Sequence, residues 1–209
     1  MKRFLIADDH FIVRTGISIL LREEFLNVEI DECKDGDHVW EKVKTTEYDL
    51  VILDINMPGT DSITLLQNIF ALHPDLKVLI LSMSREEIYA RIYLQLGVKG
   101  FINKEAEASE VRRAITTTLN NRRYLSPRMQ DSPAFESTKR KSASLFDRLS
   151  PRELEVMTHL LDGKNVSKIA DLLSAHTSTI GTHKAKVLQK LGVTNVIELK
   201  EMTQLFNHP

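Results

Sequence analysis

Residues 50–62 read LVILDINMPGTDS, an apolar run followed by an aspartate and a turn signal. Its first four residues, Leu50 to Leu53, form an apolar run that is too short for a buried helix. A run this continuously apolar is typical of a parallel strand that is buried on both faces. Asp54 follows the predicted strand directly, and Met57-Pro58-Gly59 predicts a turn because Pro fixes φ and Gly lets the backbone reverse. The sequence therefore places a carboxylate at the end of a buried strand.

Four more short apolar runs occur within the first 120 residues: Phe4–Ala7, Val28–Ile30, Val78–Leu81 and Gly100–Ile102. Between the runs, apolar residues recur with the spacing of an amphipathic helix. The clearest examples are Ile12, Ile17, Leu20 and Leu21 in the first segment and Ile63, Leu66, Ile69 and Phe70 in the third. Five such βα units predict an α/β fold with a doubly wound, five-stranded parallel sheet of the flavodoxin-like type. In such sheets, ligands bind beyond the carboxyl ends of the strands.

The composition is typical of soluble globular domains. The chain has 209 residues, of which 42% are apolar and 27% charged, and its length favours two modest domains over one. The single cysteine, Cys33, excludes an internal disulfide and fits a reducing compartment. The chain lacks the apolar stretch of about 20 residues that a membrane span needs, and its first acidic residues come too early for a signal peptide. We therefore expect a cytoplasmic protein with no membrane partner.

Charge is divided unevenly along the chain. Residues 139–209 hold 11 Lys and Arg against 7 Asp and Glu, a net charge of +4, whereas the residues before them hold 17 against 22, a net charge of −5. A basic C-terminal part suggests nucleic acid as a partner. Residues 126–146 are rich in Ser and Pro and show no apolar period, so we predict a linker there. It would join a domain at 1–125 to a second domain at 147–209.

Acidic side chains follow two neighbouring strands of the predicted sheet. Asp8 and Asp9 follow the first strand and Asp54 the third, so we expect the three carboxylates to converge at one edge of the sheet. Clustered carboxylates repel each other unless a cation holds them, and oxygen ligands of this kind favour Mg²⁺. Ser82 ends the fourth strand and Lys104 follows the fifth. Each group alone is usually a solvated surface residue, but together they form the set that phosphoryl transfer to a carboxylate requires.

Residues 1–125 resemble the receiver domain of response regulators in the segments IADDH, LDINMPGTDS, LSMS and GVKGFINKEA. The resemblance implies that a partner histidine kinase phosphorylates Asp54. The implied Mg²⁺ ligands are Asp9, Asp54 and the main-chain carbonyl of Asn56, with Asp8 acting through water. The implied phosphoryl-binding groups are Ser82 and Lys104.

Phe101 matches the position of the switch aromatic of receiver domains. The resemblance implies that such a ring turns inward as Ser82 is drawn to the phosphoryl group. The alternative interpretation is an ordinary buried aromatic on the fifth strand, and the residues alone leave both open. Phosphorylation would then act as a population shift that controls dimerisation and output.

Helices without strands are predicted for the C-terminal part. Ser150, Pro151 and Glu153 form the start signal of a helix, with a capping residue, a first-turn proline and a capping box. Two helices at 166–173 and 177–191 follow, and a last one covers 196–206. The middle pair predicts a helix-turn-helix whose longer helix enters the major groove of DNA. A small helical protein-binding domain fits the same periodicity.

Residues 147–209 resemble the LuxR-type output domain of NarL/FixJ response regulators. The match includes LSPRE at 149–153, the Ile169-Ala170 pair, the step from Thr179 to His183 and KLGV at 190–193. The resemblance implies double-stranded DNA as a partner and a homodimer when the chain is phosphorylated. The candidate DNA-binding residues are Lys168, Thr179, Thr182, His183, Lys184 and Lys186. Lys190 is also expected to face water or DNA.

Three departures from the family pattern bear on DNA binding. Gly181 stands where Lys is common, Ala185 where a polar residue often faces bases, and His176 where Ser usually caps the recognition helix. Glycine in a helix costs about 1 kcal/mol relative to alanine. One alternative function is therefore a phospho-accepting adaptor that signals through protein contacts. Another is a phosphatase-type enzyme with an aspartyl-phosphate intermediate, but such enzymes need an acid-base residue where this chain has Asn56.

Overall fold

The computed structural model describes residues 1–84, 86–130 and 148–206. The chain divides into two compact units, residues 1–136 and 137–209. Within the described residues, no helix combines the length and apolar character that crossing a membrane requires.

The first unit is a five-stranded parallel sheet with helices between the strands. The strands are β1 (Lys2–Ala7), β2 (Val28–Cys33), β3 (Leu50–Leu53), β4 (Val78–Ser82) and β5 (Gly100–Asn103). The helices are α1 (Phe11–Glu24), α2 (Gly36–Thr45), α3 (Ser62–Leu72), α4 (Glu86–Leu96), α5 (Ala108–Leu119) and the short α6 (Pro127–Gln130). The strand order is β2-β1-β3-β4-β5, which confirms the predicted doubly wound fold.

Strand register brings the functional ends of the strands to one edge of the sheet. Ala7 pairs with Leu53, so the residues that follow β1 and β3 leave the sheet side by side. The backbone N–H of Asp54 donates to the carbonyl of Ala7, 2.8 Å away, which extends this pairing by one step. The buried faces of β1, β3 and β4 pack against α1 and α5 in one apolar core.

Helix α1 buries a narrower face than its sequence predicts. Ile17 and Leu21, four residues apart, are buried, whereas Ile12 is 79% exposed, so its expected place in the core is wrong. The reason is angular, because five residues from Ile12 to Ile17 turn a helix by about 500°, or 140° beyond a full turn. Phe11 is also exposed.

The first residues of the predicted linker contain a short helix. Residues 127–130 form α6, and Ser126 and Met129 are both buried. The N–H of Ser126 donates to Glu86 Oε1 at 3.4 Å, and the N–H of Met129 donates to Ser126 Oγ at 3.3 Å. Two residues at the start of the predicted linker are therefore packed, and its residues 131–146 lie outside the described ones.

The second unit is a small helical domain, as predicted. Its helices are α7 (Pro151–Leu161), α8 (Val166–Leu172), α9 (Thr177–Leu191) and α10 (Val196–Phe206). Ser150 caps α7 and makes both hydrogen bonds of the capping box with Glu153. The core comprises Val156, Leu160, Ile169, Ala170, Leu173 and Ile180. The buried residues of α8 and α9 place these two helices against each other as a helix-turn-helix.

Candidate functional site

Three predicted carboxylates converge beyond the carboxyl ends of β1 and β3. Asp8 and Asp54 are each only 2% exposed, and Asp9 is at the rim of the pocket. One ligand atom from each of these residues and one from His10 lie within 4.8 Å of one another. The parallel pairing of β1 and β3 produces this cluster, since both strands end at the same edge.

Lys104 supplies the positive charge of the pocket. Its ammonium Nζ lies 2.6 Å from Asp8 Oδ2 and 2.7 Å from Asp54 Oδ2, and its side chain is 8% exposed. Burial by itself lowers the pKa of Lys104, but its hydrogen bonds to the two carboxylates outweigh burial and raise that pKa. Burial raises the pKa of Asp54, because the ammonium and the N–H of Asn56 compensate the loss of water only in part.

Ser82 is oriented by its neighbours as a hydrogen-bond donor. Its Oγ accepts from Asn56 Nδ2 at 2.8 Å and from the N–H of Ser84 at 3.2 Å. A hydroxyl has two lone pairs and one hydrogen, so these contacts leave the hydrogen as its remaining group. The backbone N–H of Asn56 also donates to Asp54 Oδ1 at 3.0 Å, which fixes the acceptor carboxylate.

His10 is a pocket residue that the sequence reasoning missed. Its N–H donates to Asp8 Oδ1 at 2.8 Å, and its Nδ1 lies 2.9 Å from Asp9 Oδ1. The imidazole is 67% exposed and stands at the mouth of the pocket. The signal was present in the sequence, since His10 directly follows the two aspartates in IADDH.

Phe101 points into the unit, and its ring is fully buried. The ring centroid lies 6.1 Å from that of Tyr93, whose hydroxyl hydrogen-bonds with Ser62 Oγ at 2.8 Å. This position is consistent with a buried strand aromatic. The switch role of Phe101 stays a prediction.

The donor set of the pocket fits Mg²⁺. The carboxylates of Asp8, Asp9 and Asp54 are hard oxygen donors, the kind that Mg²⁺ selects. Asp8 Oδ2 contacts Lys104 Nζ at 2.6 Å, and Asp9 Oδ1 lies 2.9 Å from His10 Nδ1. A carboxylate oxygen has two lone pairs, so each of these oxygens keeps one for a cation.

The predicted DNA-binding residues lie mainly on the outer face of α9. Thr179, Thr182 and Lys186 are exposed, and they follow helical spacing of three and four residues. His183 and Lys184 are half-buried on the same helix, and Lys168 is exposed on α8. The inner face of α9 buries Ile180, Val187 and Leu191.

One lysine of α9 pairs with the capping box of α7. Lys190 Nζ lies 2.6 Å from Glu153 Oε2, and its side chain remains 40% exposed, so Lys190 is open to water as expected and its contact with DNA stays a prediction. Burial alone would raise the pKa of Glu153, but the bonds from Lys190 and from the N–H of Ser150 lower it. The ion pair ties the start of α7 to the end of α9.

Two departures from the family pattern, His176 and Gly181, lie at the start and in the first turns of α9. The N-cap residue His176 makes no side-chain capping bond within the described chain. At Gly181, an added Cβ would meet no described atom within 4 Å. A Cβ atom is thus accommodated at position 181.

Taken together, the two units define a class of protein: an α/β phosphoacceptor-type domain joined to a helix-turn-helix domain. Comparison with protein families agrees. Residues 4–116 match the model of the response regulator receiver domain, and residues 147–203 match that of bacterial regulatory proteins of the luxR family. The chain belongs to the NarL/FixJ family of two-component response regulators, which regulate transcription.

Curated relatives match over nearly their whole length. The response regulator GacA of Pseudomonas protegens is 30% identical over 200 residues, which cover 95% of this chain and 93% of that protein. The oxygen regulatory protein NreC of Staphylococcus carnosus is 33% identical and covers 95% of each chain. A solved structure of RcsB from Salmonella enterica serovar Typhimurium, bound to promoter rprA with the phosphomimetic BeF₃⁻, is 28% identical with a TM-score of 0.64. That match covers 96% of this chain and 98% of RcsB.

Proposed function

We propose that Asp54 accepts a phosphoryl group from a partner histidine kinase. The observation that carries this proposal is the contact of Asp54 Oδ2 with Lys104 at 2.7 Å, in a pocket where Asn56 holds the other carboxylate oxygen. An oxygen of Asp54 attacks phosphorus, and the bond between phosphorus and the kinase histidine nitrogen breaks with its electron pair on nitrogen. The product is an acyl phosphate on Asp54 and a free histidine.

Asp8, Asp9, Asp54 and the main-chain carbonyl of Asn56 would hold Mg²⁺ during this transfer. The ion would supply positive charge that lets an anionic phosphoryl group approach an anionic carboxylate. Lys104, which directly follows β5, contributes a second positive charge to the pocket. Its ammonium already contacts both buried carboxylates, so it is placed to bind phosphoryl oxygens once Asp54 is modified.

The phosphoryl group would then rearrange the Ser82 network. The hydroxyl hydrogen of Ser82 is available to an acceptor, and a phosphoryl group adds strong acceptor oxygens beside it. A move of Ser82 disturbs its bonds with Asn56 and Ser84, and we infer that the buried ring of Phe101 adjusts in turn. Moving a population from mostly off to mostly on takes about 5 kcal/mol, which charge-assisted hydrogen bonds and dimerisation can supply together.

The output would be DNA binding by a homodimer in the cytoplasm. Exposed residues of α9 face outward, as a recognition helix requires. The proposed base-reading residue is Thr182, and the proposed phosphate contacts are Lys168, Lys184 and Lys186. Thr179 and His183 complete the proposed face at the start of α9. RcsB, to which this chain is similar, has been solved bound to promoter DNA, which supports DNA as the partner.

A second candidate is a phospho-accepting adaptor that signals through protein contacts. The uncapped start of α9 at His176 and the missing side chain at Gly181 favour it, since both weaken the helix that reads DNA. A mobility-shift titration with random genomic fragments, with and without acetyl phosphate and Mg²⁺, separates the two. The transcription-factor proposal expects retention that increases with phosphorylation. Absence of retention at low salt in both states would favour the adaptor.

A further inference from the structure

The guanidinium of Arg14 reaches from α1 back to the chain that carries the acidic pair. Its Nη1 donates to the main-chain carbonyl of Asp8 at 2.7 Å, and its Nε donates to Glu32 Oε2 at 2.9 Å. The Arg14 side chain is only 14% exposed, and its guanidinium lies 5.8 Å from the ring of Phe11. Ser18 Oγ donates to the other oxygen of Glu32 at 3.2 Å. Arg14 therefore joins the pocket to the edge strand β2.

Of the two groups that accept hydrogen bonds from Arg14, the main-chain carbonyl of Asp8 is the one that belongs to the pocket. The N–H of Asp8 donates to the carbonyl of Cys33 at 3.1 Å, so the chain is still paired with β2 at that atom. Its carbonyl belongs to the peptide between Asp8 and Asp9, beyond the end of β1 at Ala7. Rotation of this peptide changes ψ of Asp8 and φ of Asp9, and thus the backbone from which both carboxylates project. The hydrogen bond from Arg14 opposes that rotation.

We infer that Arg14 is a positioning residue for the metal site, which it serves by fixing the peptide between Asp8 and Asp9. This inference rests on the proposed Mg²⁺ site. Mg²⁺ demands near-octahedral geometry, so small errors in carboxylate position weaken its binding. Partners that orient metal ligands from outside the ligand set typically contribute about 10–100-fold to metal affinity. Arg14 contacts the proposed metal ligand Asp8 only at the main-chain carbonyl of Asp8. Glu32 in turn anchors Arg14.

The surroundings of Arg14 favour variants that fold. A cavity of about 270 Å³ is lined by Arg14, Glu32, Cys33, Lys34 and His38. Water can therefore hydrogen-bond to the Asp8 carbonyl when the guanidinium is removed, which satisfies the carbonyl without fixing it. The matched control is Arg112, whose guanidinium pairs with Glu23 at the surface of α1 and α5, away from the pocket.

The test is isothermal titration calorimetry of Mg²⁺ into the full-length chain. We expect Arg14→Gln to weaken Mg²⁺ binding about tenfold, the low end for an orienting partner, and Arg112→Gln to leave it unchanged. Glu32→Gln keeps Arg14 but removes its anchor, so we expect a smaller loss. The double variant should lose no more than Arg14→Gln alone, since both act through one contact. Thermal unfolding of each variant shows that the folded chain is being titrated, and Glu32→Gln serves if Arg14→Gln does not fold.

Phosphorylation gives a second readout that a merely structural role would not move. With acetyl phosphate as donor, Arg14→Gln should raise the Mg²⁺ concentration for half-maximal rate while the rate at saturating Mg²⁺ stays near that of the wild type. Equal Mg²⁺ affinities in Arg14→Gln and the wild type would overturn the inference and leave the proposed function standing. A wild-type chain that binds no Mg²⁺ would overturn both.

Discussion

The ammonium of Lys104 lies between the buried carboxylates of Asp8 and Asp54, at 2.6 Å from one and 2.7 Å from the other. The single positive charge of Lys104 thus neutralises only one of the two buried negative charges, in a pocket from which water is nearly excluded. The arrangement leaves an excess negative charge in the pocket, which a divalent cation would balance.

Removing the Lys104 ammonium should make folding depend on Mg²⁺. Lys104→Met leaves the buried carboxylates uncompensated, which typically costs about 3–5 kcal/mol. We expect a lower melting temperature in EDTA, and a larger rise on adding Mg²⁺ than the wild type shows. Lys44→Met is the control, because it removes a surface ion pair with Glu41, a type worth about 0–1 kcal/mol. Equal melting temperatures for both variants in EDTA would contradict this reading of the pocket.

His159 should make the second unit sensitive to mild acid. Burial, followed by the nearby Lys164 charge, lowers its pKa from 6.5 to about 4. A depressed folded-state pKa gives stability that is present above pH 6.5 and is lost as the pH falls toward 4. The expected loss is roughly 3 kcal/mol. Denaturant unfolding between pH 7 and pH 4 measures it, and His159→Gln should flatten the profile whereas the exposed His176→Gln should not. A wild-type profile that stays flat would refute the prediction.

A side chain at position 181 should raise both the stability of the recognition helix and its affinity for DNA. Gly181→Ala gains about 1 kcal/mol of helix stability without adding charge. Gly181→Lys adds a cation as well, and its Cβ would meet no described atom within 4 Å. We expect Gly181→Lys to bind DNA more tightly than Gly181→Ala, with a salt dependence steeper by about one phosphate contact. Identical salt slopes in fluorescence anisotropy titrations would show that position 181 does not face the DNA backbone.

Loss of a phosphate contact should weaken binding to every DNA sequence alike. Lys186 is exposed on α9, and Lys186→Ala should lower affinity uniformly and reduce the salt slope by about one. Lys200→Ala removes an exposed lysine from α10, outside the helix-turn-helix, and is the control. An effect confined to one base position would contradict the assignment of Lys186 to phosphate.

The sequence could predict what depends on neighbours in the chain. Asp54 follows a strand directly, and the alternation of strands and helices fixes which strand ends meet, so the fold and the acidic pocket follow from pattern. The capping box of Ser150 and Glu153 follows from local spacing in the same way.

Contacts between distant residues could not be predicted by pattern. Lys190 lies on the polar side of α9, yet it pairs with Glu153, which is 37 residues away. Ile12 looks like a core residue, but its angle around α1 places it in water. Arg14 could not be predicted as a pocket residue because one of its partners, the Asp8 carbonyl, is a main-chain atom and the other, Glu32, is 18 residues away.

The intact mass of the chain after incubation with acetyl phosphate and Mg²⁺ shows whether Asp54 accepts a phosphoryl group. We expect the wild type to gain one phosphoryl group, Asp54→Ala to gain none, and EDTA to prevent the gain. Borohydride trapping of the acyl phosphate should then mark position 54. A wild-type chain that stays unmodified, or an Asp54→Ala variant that is modified equally well, would contradict the account.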